Sequence, residues 1–314
     1  MPRHTEIDLT GIRPVPIGKR KNKVKVEDFA RAGGGRGFRD FWAGLPNILA
    51  GRDIRALVGA IRAANERGKP IVWFLGAHVI KVGLSPLVTD MIRRGFATAV
   101  GMNGSGMIHD VEVAMIGATS EDVTAGMKAG NFGMARETAE FLNGAVLSKV
   151  REGMGLGEAA GAAVQEAKLP HRGLSITRAA LLKGIPCTVH VAIGTDIVHE
   201  HPSFDPAAAG TGTYRDFRIM ADVIARCGNG GVIIVAGSSV ILPLIIEKSI
   251  SIARNLGRPL VKFTGANLDF IRHYRAQLNP VRRAEELGGT GISIVGHHEL
   301  TLPLIHRALR TGAE

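Results

Sequence analysis

Six histidines stand in short polar stretches, each following an apolar run: His78, His109, His199, His201, His297 and His298. An imidazole whose unperturbed pKa is ~6.5 can give or take a proton near neutrality, so histidines gathered at one place suit general acid–base work. A lone loop histidine is ordinarily an exposed or satisfied side chain; six in equivalent positions carry more weight. Metal binding is the second chemistry open to them. His199-Glu200-His201 puts two imidazoles on one face of an extended segment, and Asp196 or His297-His298-Glu299 could add ligands. Neither HExxH nor CxxC occurs, and no metal site is assigned.

The same stretches carry glycine: Gly76 to Gly83, Asn103-Gly104-Ser105-Gly106, Gly194-Thr195-Asp196, Gly237-Ser238-Ser239, Thr264-Gly265-Ala266-Asn267 and Gly296. Gly104 and Gly106 permit φ > 0 and close backbone approach, which is how a loop aims amides at a phosphate. A tight strand-to-helix turn accounts for them equally well. The GxGxxG spacing of a standard Rossmann fingerprint is absent, and that fold is not indicated.

Positioning these stretches requires alternating strands and helices. Short apolar runs read as buried parallel strands at 71–75, 97–102, 185–193, 232–236, 260–263 and 292–295. Between them fall helical patterns at 53–67, 85–94, 216–227, 242–255 and 300–309. Ser85-Pro86 reads as an N-cap followed by proline at the first helical position. Strands separated by helices imply one parallel sheet, which binds ligands at the carboxyl ends of its strands. Six polar turns would then share one rim.

Before the sheet, residues 1–40 read as an extended arm. It holds Pro14, Pro16, five positive charges between Lys19 and Lys25, and Gly33-Gly34-Gly35. Such an arm suits packing across a neighbouring subunit. The whole chain has 39 Lys+Arg against 28 Asp+Glu, a net charge of +11. That excess is read first as solvated charge, then as attraction for small anions, and only last as nucleic-acid binding. There is no secretory h-region and no apolar run of membrane-spanning length. Cys187 and Cys227 cannot make a disulfide framework, so a cytoplasmic protein without a membrane partner is expected.

From Phe74 to Asp110 the chain resembles deoxyhypusine synthase, whose NAD-binding region reads SNLVSSG, a helix, then TTAGGVEED. Family TAGG falls on Asn103-Gly104-Ser105-Gly106, and family EED on Ile108-His109-Asp110. Ile185-Pro186 matches the family's IP. Gly194-Thr195-Asp196-Ile197 resembles LGDMI, Cys227 to Ser239 resembles KCTGMIILGGG, and Val295 to Ile305 resembles YADASLVFPLL. The resemblance covers about 70–310. It implies an α/β fold with a single large parallel-sheet domain of the deoxyhypusine synthase-like NAD-binding type over 41–314, and a homotetramer.

Departures from the family bear on activity. Its His-His pair is replaced by Pro243-Leu244, and its WGK lysine region by Glu285-Glu286-Leu287-Gly288-Gly289. Without that lysine no amine is present to carry the aminobutyl group as an imine, so deoxyhypusine synthesis is not expected. The resemblance instead implies an NAD-dependent transferase or oxidoreductase acting by hydride transfer on a small anionic substrate. NAD would contact Gly76, His78, Gly83, Asn103, Gly104, Ser105, Gly106, Asp196, Gly237, Ser238, Ser239, Thr264, Asn267, Gly296, His297, His298 and Glu299. His109, Asp110 and His199 are the candidate catalytic groups, and Arg272 and Arg275 the substrate clamp. A metal-dependent hydrolase and a non-catalytic nucleotide-binding oligomer are the alternatives.

Overall fold

The computed structural model describes residues 3–32 and 35–312. Gly33 and Gly34 of the expected glycine hinge lie outside the described residues. Among the described residues before Phe38 the chain makes short 3-10 turns at Ile17–Lys19 and Val26–Asp28 and is exposed almost throughout.

The folded part opens with helices α1 (Phe38–Gly44) and α2 (Leu49–Glu66) and strand β1 (Ile71–Leu75). Helices α3 (Ala77–Lys81) and α4 (Ser85–Arg94) lead to β2 (Ala99–Asn103). A long helical excursion follows: α5 (Gly104–Ile116), α6 (Val123–Ala129), α7 (Arg136–Glu140), α8 (Leu147–Arg151), α9 (Leu156–Glu166) and α10 (Ile176–Lys183). Then come β3 (Cys187–His190), α11 (Pro206–Ala225), β4 (Val232–Ala236), α12 (Ile241–Asn255) and β5 (Thr264–Asp269). Short α13 (Tyr274–Ala276) and α14 (Arg283–Glu286) precede β6 (Thr290–Val295) and α15 (His298–Thr311).

All five strand pairings are parallel, in the order β3-β2-β1-β4-β5-β6. Both faces are covered, which is why β1 reads as an unbroken apolar run. Ile71, Trp73 and Leu75 face a core with α2, α4, α5, α9 and α15, whereas Val72 and Phe74 face one with α11 and α12. Each such large side chain contributes roughly 1.5–3 kcal/mol by leaving water. The strand order is that of doubly wound dinucleotide folds. The missing GxGxxG argues against it, yet the order is set by how the apolar strands pack side by side through their helical crossovers, and one turn's glycine spacing does not control that.

Three local expectations shift. Ser85 is the first helical residue, and Leu84 is the cap, leaving Pro86 in the first turn. Helix α11 starts ten residues before Asp216, because Asp205 accepts from the amides of Ala207 and Ala208 and Pro206 pre-sets the first turn. The strand expected at 260–263 lies instead at Thr264–Asp269. The TGANLD sequence lacks an apolar run, but Gly265 lets the strand lie against the Pro280 carbonyl, where a Cβ would stand 2.4 Å from the oxygen.

Candidate functional site

Parallel pairing brings the carboxyl ends of all six strands to one edge. Gly76, Asn103, Gly237 and Gly296 therefore share that edge with the turns and helix starts holding His78, Asp196, Ser238, Ser239, His297 and Glu299. Gly83 lies one short helix further on, in the turn between α3 and α4. Arg272 and Arg275 follow β5 and are exposed. Thr264 and Asn267 are exceptions. The shift of β5 puts Thr264 at the opposite edge, where the strand begins, and buries Asn267 within the strand.

At the switch point between β1 and β4, Gly76 and Gly237 bring two turns into contact. The Gly76 amide donates to Ala236 O at 2.8 Å, and a Cβ on Gly76 would stand 1.8 Å from Gly237 O. Gly237 has φ +70°, and its own Cβ would meet His298 Nε2 at 2.8 Å. No side chain fits at either glycine, so the His298 ring lies against bare backbone. His298 opens α15, is 0% exposed, and neither ring nitrogen has a hydrogen-bond partner. Burial pulls its imidazole below the ordinary value, and nearby Asp269 only partly opposes this. His78 stands 6.0 Å away between ring centroids, and Phe270 bridges His78 to His297, stacking on the latter at 6.0 Å.

The second cluster lies at the ends of β2 and β3. Gly104 and Gly106 are not in the left-handed region; they form the first turn of α5, capped by Asn103, whose Oδ1 accepts from the Gly106 amide at 3.1 Å. Glycine at 104 serves close approach: a Cβ there would stand 1.9 Å from Asp196 Oδ2. Asp196 accepts from the Ser105 hydroxyl at 2.9 Å, so a carboxylate of the chain itself occupies this helix N-terminus. Burial pushes the Asp196 carboxyl up, against the pull of Ser105 and His199.

Beside it is a cavity of about 260 Å³ bordered by Lys81, Ser105, His109, Glu112, Asp196 and Glu200. His109 Nδ1 lies 2.6 Å from Thr119 Oγ1, which donates to Glu112; Thr138 donates to the other Glu112 oxygen at 3.1 Å. Burial would raise the Glu112 carboxyl, but the nearby His109 ring, 3.8 Å away, and the hydrogen bonds from Thr119 and Thr138 outweigh it and hold the group below its ordinary value. Two wider grooves, about 460 Å³ each, run along α11 and touch none of these histidines.

Asp110 is placed elsewhere. It is 1% exposed and accepts from the Ser175 and Thr177 hydroxyls and the Ile176 and Thr177 amides, which caps α10 from a neighbouring helix. With its acceptor capacity spent inside the protein, it offers nothing to the cavity. The extended His-Glu-His arrangement is also absent. Ile197–Glu200 is a 3-10 turn, His199 Nδ1 accepts two backbone amides, and His201 Nδ1 pairs with Ser203. Among the described residues, no group of three or more His, Cys, Asp or Glu side chains could hold a metal ion. Glu112, Thr119 and Lys81 escape sequence reasoning. The one signal was Glu112 three residues after His109, on the same helical face.

No protein-family model matches the sequence, and no curated protein does. Solved structures do match in fold. One is provisionally described as a deoxyhypusine synthase from Entamoeba histolytica, with 11% identity, TM-score 0.52, and coverage of 89% of this chain and 95% of that one. Another is AgrE in ternary complex with ornithine and NAD+, with 15% identity, TM-score 0.52, and coverage of 82% of this chain but 33% of AgrE. A LOR/SDH protein from Methanococcus maripaludis S2 matches at 16% identity, TM-score 0.50, over 82% of this chain and 68% of that one. The chain thus spans about a third of AgrE. The fold is that of a single α/β domain like deoxyhypusine synthase. Among the described residues no helix is long and apolar enough to cross a membrane.

Proposed function

We propose that this chain is an NAD-dependent enzyme whose dinucleotide lies in the crevice between the ends of β1 and β4. The observation that carries this is His298, buried against Gly237 with two unpaired ring nitrogens. An unsatisfied buried polar group costs roughly 1–3 kcal/mol, and a ligand entering the crevice would supply the missing partner. Doubly wound sheets bind nucleotides at this switch point, and the similarly folded AgrE is seen with NAD+. The pyrophosphate would lie along the Gly76 and Gly237 backbone, not at the α5 N-terminus that Asp196 already fills.

When bound, NAD supplies a hydride acceptor. The chain's own groups would orient a small anionic substrate through Arg272 and Arg275, and move its proton through His109 and His199. The exposed arm supports association into an oligomer, with a tetramer as the family-like arrangement. The test is calorimetric titration of NAD+ into the wild-type chain and His298→Ala. Binding by the wild type, weakened at least tenfold in the variant, is expected. Wild-type protein that neither releases heat nor gains thermal stability at millimolar NAD+ overturns the reading.

A further inference from the structure

We infer that the two histidines at the β2–β3 end of the rim are held in opposite neutral tautomers, His109 as a proton acceptor and His199 as a proton donor, with Thr119 and Glu112 as the positioning residues for His109.

The assignment follows from counting protons along each hydrogen-bond chain. Glu112 receives hydroxyl protons on both carboxylate oxygens, from Thr119 and from Thr138. As an ionised carboxylate it has only lone pairs to offer. Thr119 has one proton, directed at Glu112, so it faces His109 Nδ1 with a lone pair at 2.6 Å. Nδ1 must therefore carry the imidazole hydrogen, which leaves the lone pair on Nε2. His109 borders the cavity of about 260 Å³, as does Glu112.

His199 is fixed the other way. Its Nδ1 accepts the amides of Gly194 and Asp196, each at 3.1 Å. Two N–H groups aimed at one nitrogen require a lone pair there, so the hydrogen sits on Nε2. The ring cannot swing freely, because it packs on Phe204 with 4.5 Å between centroids. Asp196 lines the same cavity as His109 and gives its backbone amide to His199 Nδ1. The fold thus presents a proton acceptor, His109, on the wall of this cavity, while His199 belongs to the turn whose Thr195, Asp196, Ile197 and Glu200 line it.

For an alcohol or amine in that space, His109 Nε2 takes the proton. The substrate's O–H or N–H bond breaks with its electron pair left on the heteroatom, and a new Nε2–H bond forms. The imidazolium is then stabilised by the Glu112 charge relayed through Thr119, which keeps its own proton. This catalytic role rests on the enzymatic reading above; the tautomers do not, so each can fail separately.

The experiment is long-range proton–nitrogen NMR on the imidazole nitrogens of the full chain at about pH 8, where unperturbed imidazole is neutral. His109→Gln and His199→Gln identify the two signals among the 11 histidines. His109 is expected as the Nδ1–H form and His199 as the Nε2–H form. Thr119→Val should abolish the preference at His109, leaving His199 unchanged, and Thr119→Ser should restore it. A wild-type spectrum with His109 protonated at Nε2 overturns the inference without any variant. So does a folded Thr119→Val protein, judged by its melt, whose His109 tautomer is unmoved.

Discussion

Asp196 and Gly104 are fitted to each other: a Cβ on Gly104 would stand 1.9 Å from Asp196 Oδ2, with the carboxylate sitting on the first turn of α5. Space for the carboxylate exists only because residue 104 has no side chain. Gly104→Ala should therefore destabilise the chain by about 1–3 kcal/mol, the usual cost of overpacking, despite alanine's better helix propensity. In the Asp196→Ala background the same substitution should cost much less, since the clashing atom is gone. Urea unfolding of the four proteins in this cycle measures the coupling, and strict additivity would refute the fit.

Asp196 is one of three buried aspartates that cap a helix from a distance. Asp110 caps α10, and Asp216 accepts from the Gly157 amide at the start of α9 and from Val189. Burial pushes the Asp216 carboxyl up to about 7, although the amides of Val189, Gly157 and Leu156 pull the other way.

The sign of the consequence for Asp216 is clear. Between the unfolded value of about 3.9 and the folded value of about 7, the native state binds a proton that the unfolded chain has released. Stability from this group is full at acid pH and falls as pH rises through that window. Asp216→Asn should lose this part of the pH dependence, so the wild type minus variant difference in unfolding free energy should decline from pH 4 to pH 7 by on the order of a few kcal/mol. A difference that stays flat or rises would show that Asp216 is ionised throughout.

What the sequence discloses depends on whether a residue's partners are local. β1 and β4 are legible because a strand buried on both faces is apolar at every position, as Ile71–Leu75 and Val232–Ala236 are. β5 is not, because its interior positions are set by what it touches, down to Gly265 beneath Pro280. Helix α9 leaves almost no periodic signal, since its alanine- and glycine-rich turns are buried nearly all round. The shared rim of histidines and glycines follows from strand direction alone and is legible. That Asp110 caps α10, or that Thr119 links His109 to Glu112, is tertiary information that no local pattern encodes.

The arm carries Ile7, Leu9, Ile12, Val15 and Ile17, all more than half exposed. Burying such side chains stabilises by roughly 1.5–3 kcal/mol each, so an arm laid over a second copy would contribute substantially to association. Light scattering should give a multiple of the 33.3 kDa mass of the 314-residue chain. Deleting residues 1–37 should lower that multiple while leaving the thermal melt cooperative. Equal multiples for both proteins would remove the arm from the assembly.

His298 should show stability and binding moving in opposite directions. In the free protein its ring is a buried polar group with no partner, a cost that an apolar side chain of similar volume would not incur. His298→Leu should raise the unfolding free energy of the ligand-free chain by about 1–2 kcal/mol. Its imidazole is held below the ordinary value by burial, so the wild type should also lose stability as pH falls below about 6.5, and the variant should lose less. Yet the same substitution should remove the melting-temperature gain that NAD+ gives the wild type, because the gain follows from binding to the native state alone. Chemical unfolding with and without NAD+ reads both effects. A variant destabilised in the absence of ligand would mean that His298 already has its partner within the fold, and the crevice would then lose its strongest reason to bind anything.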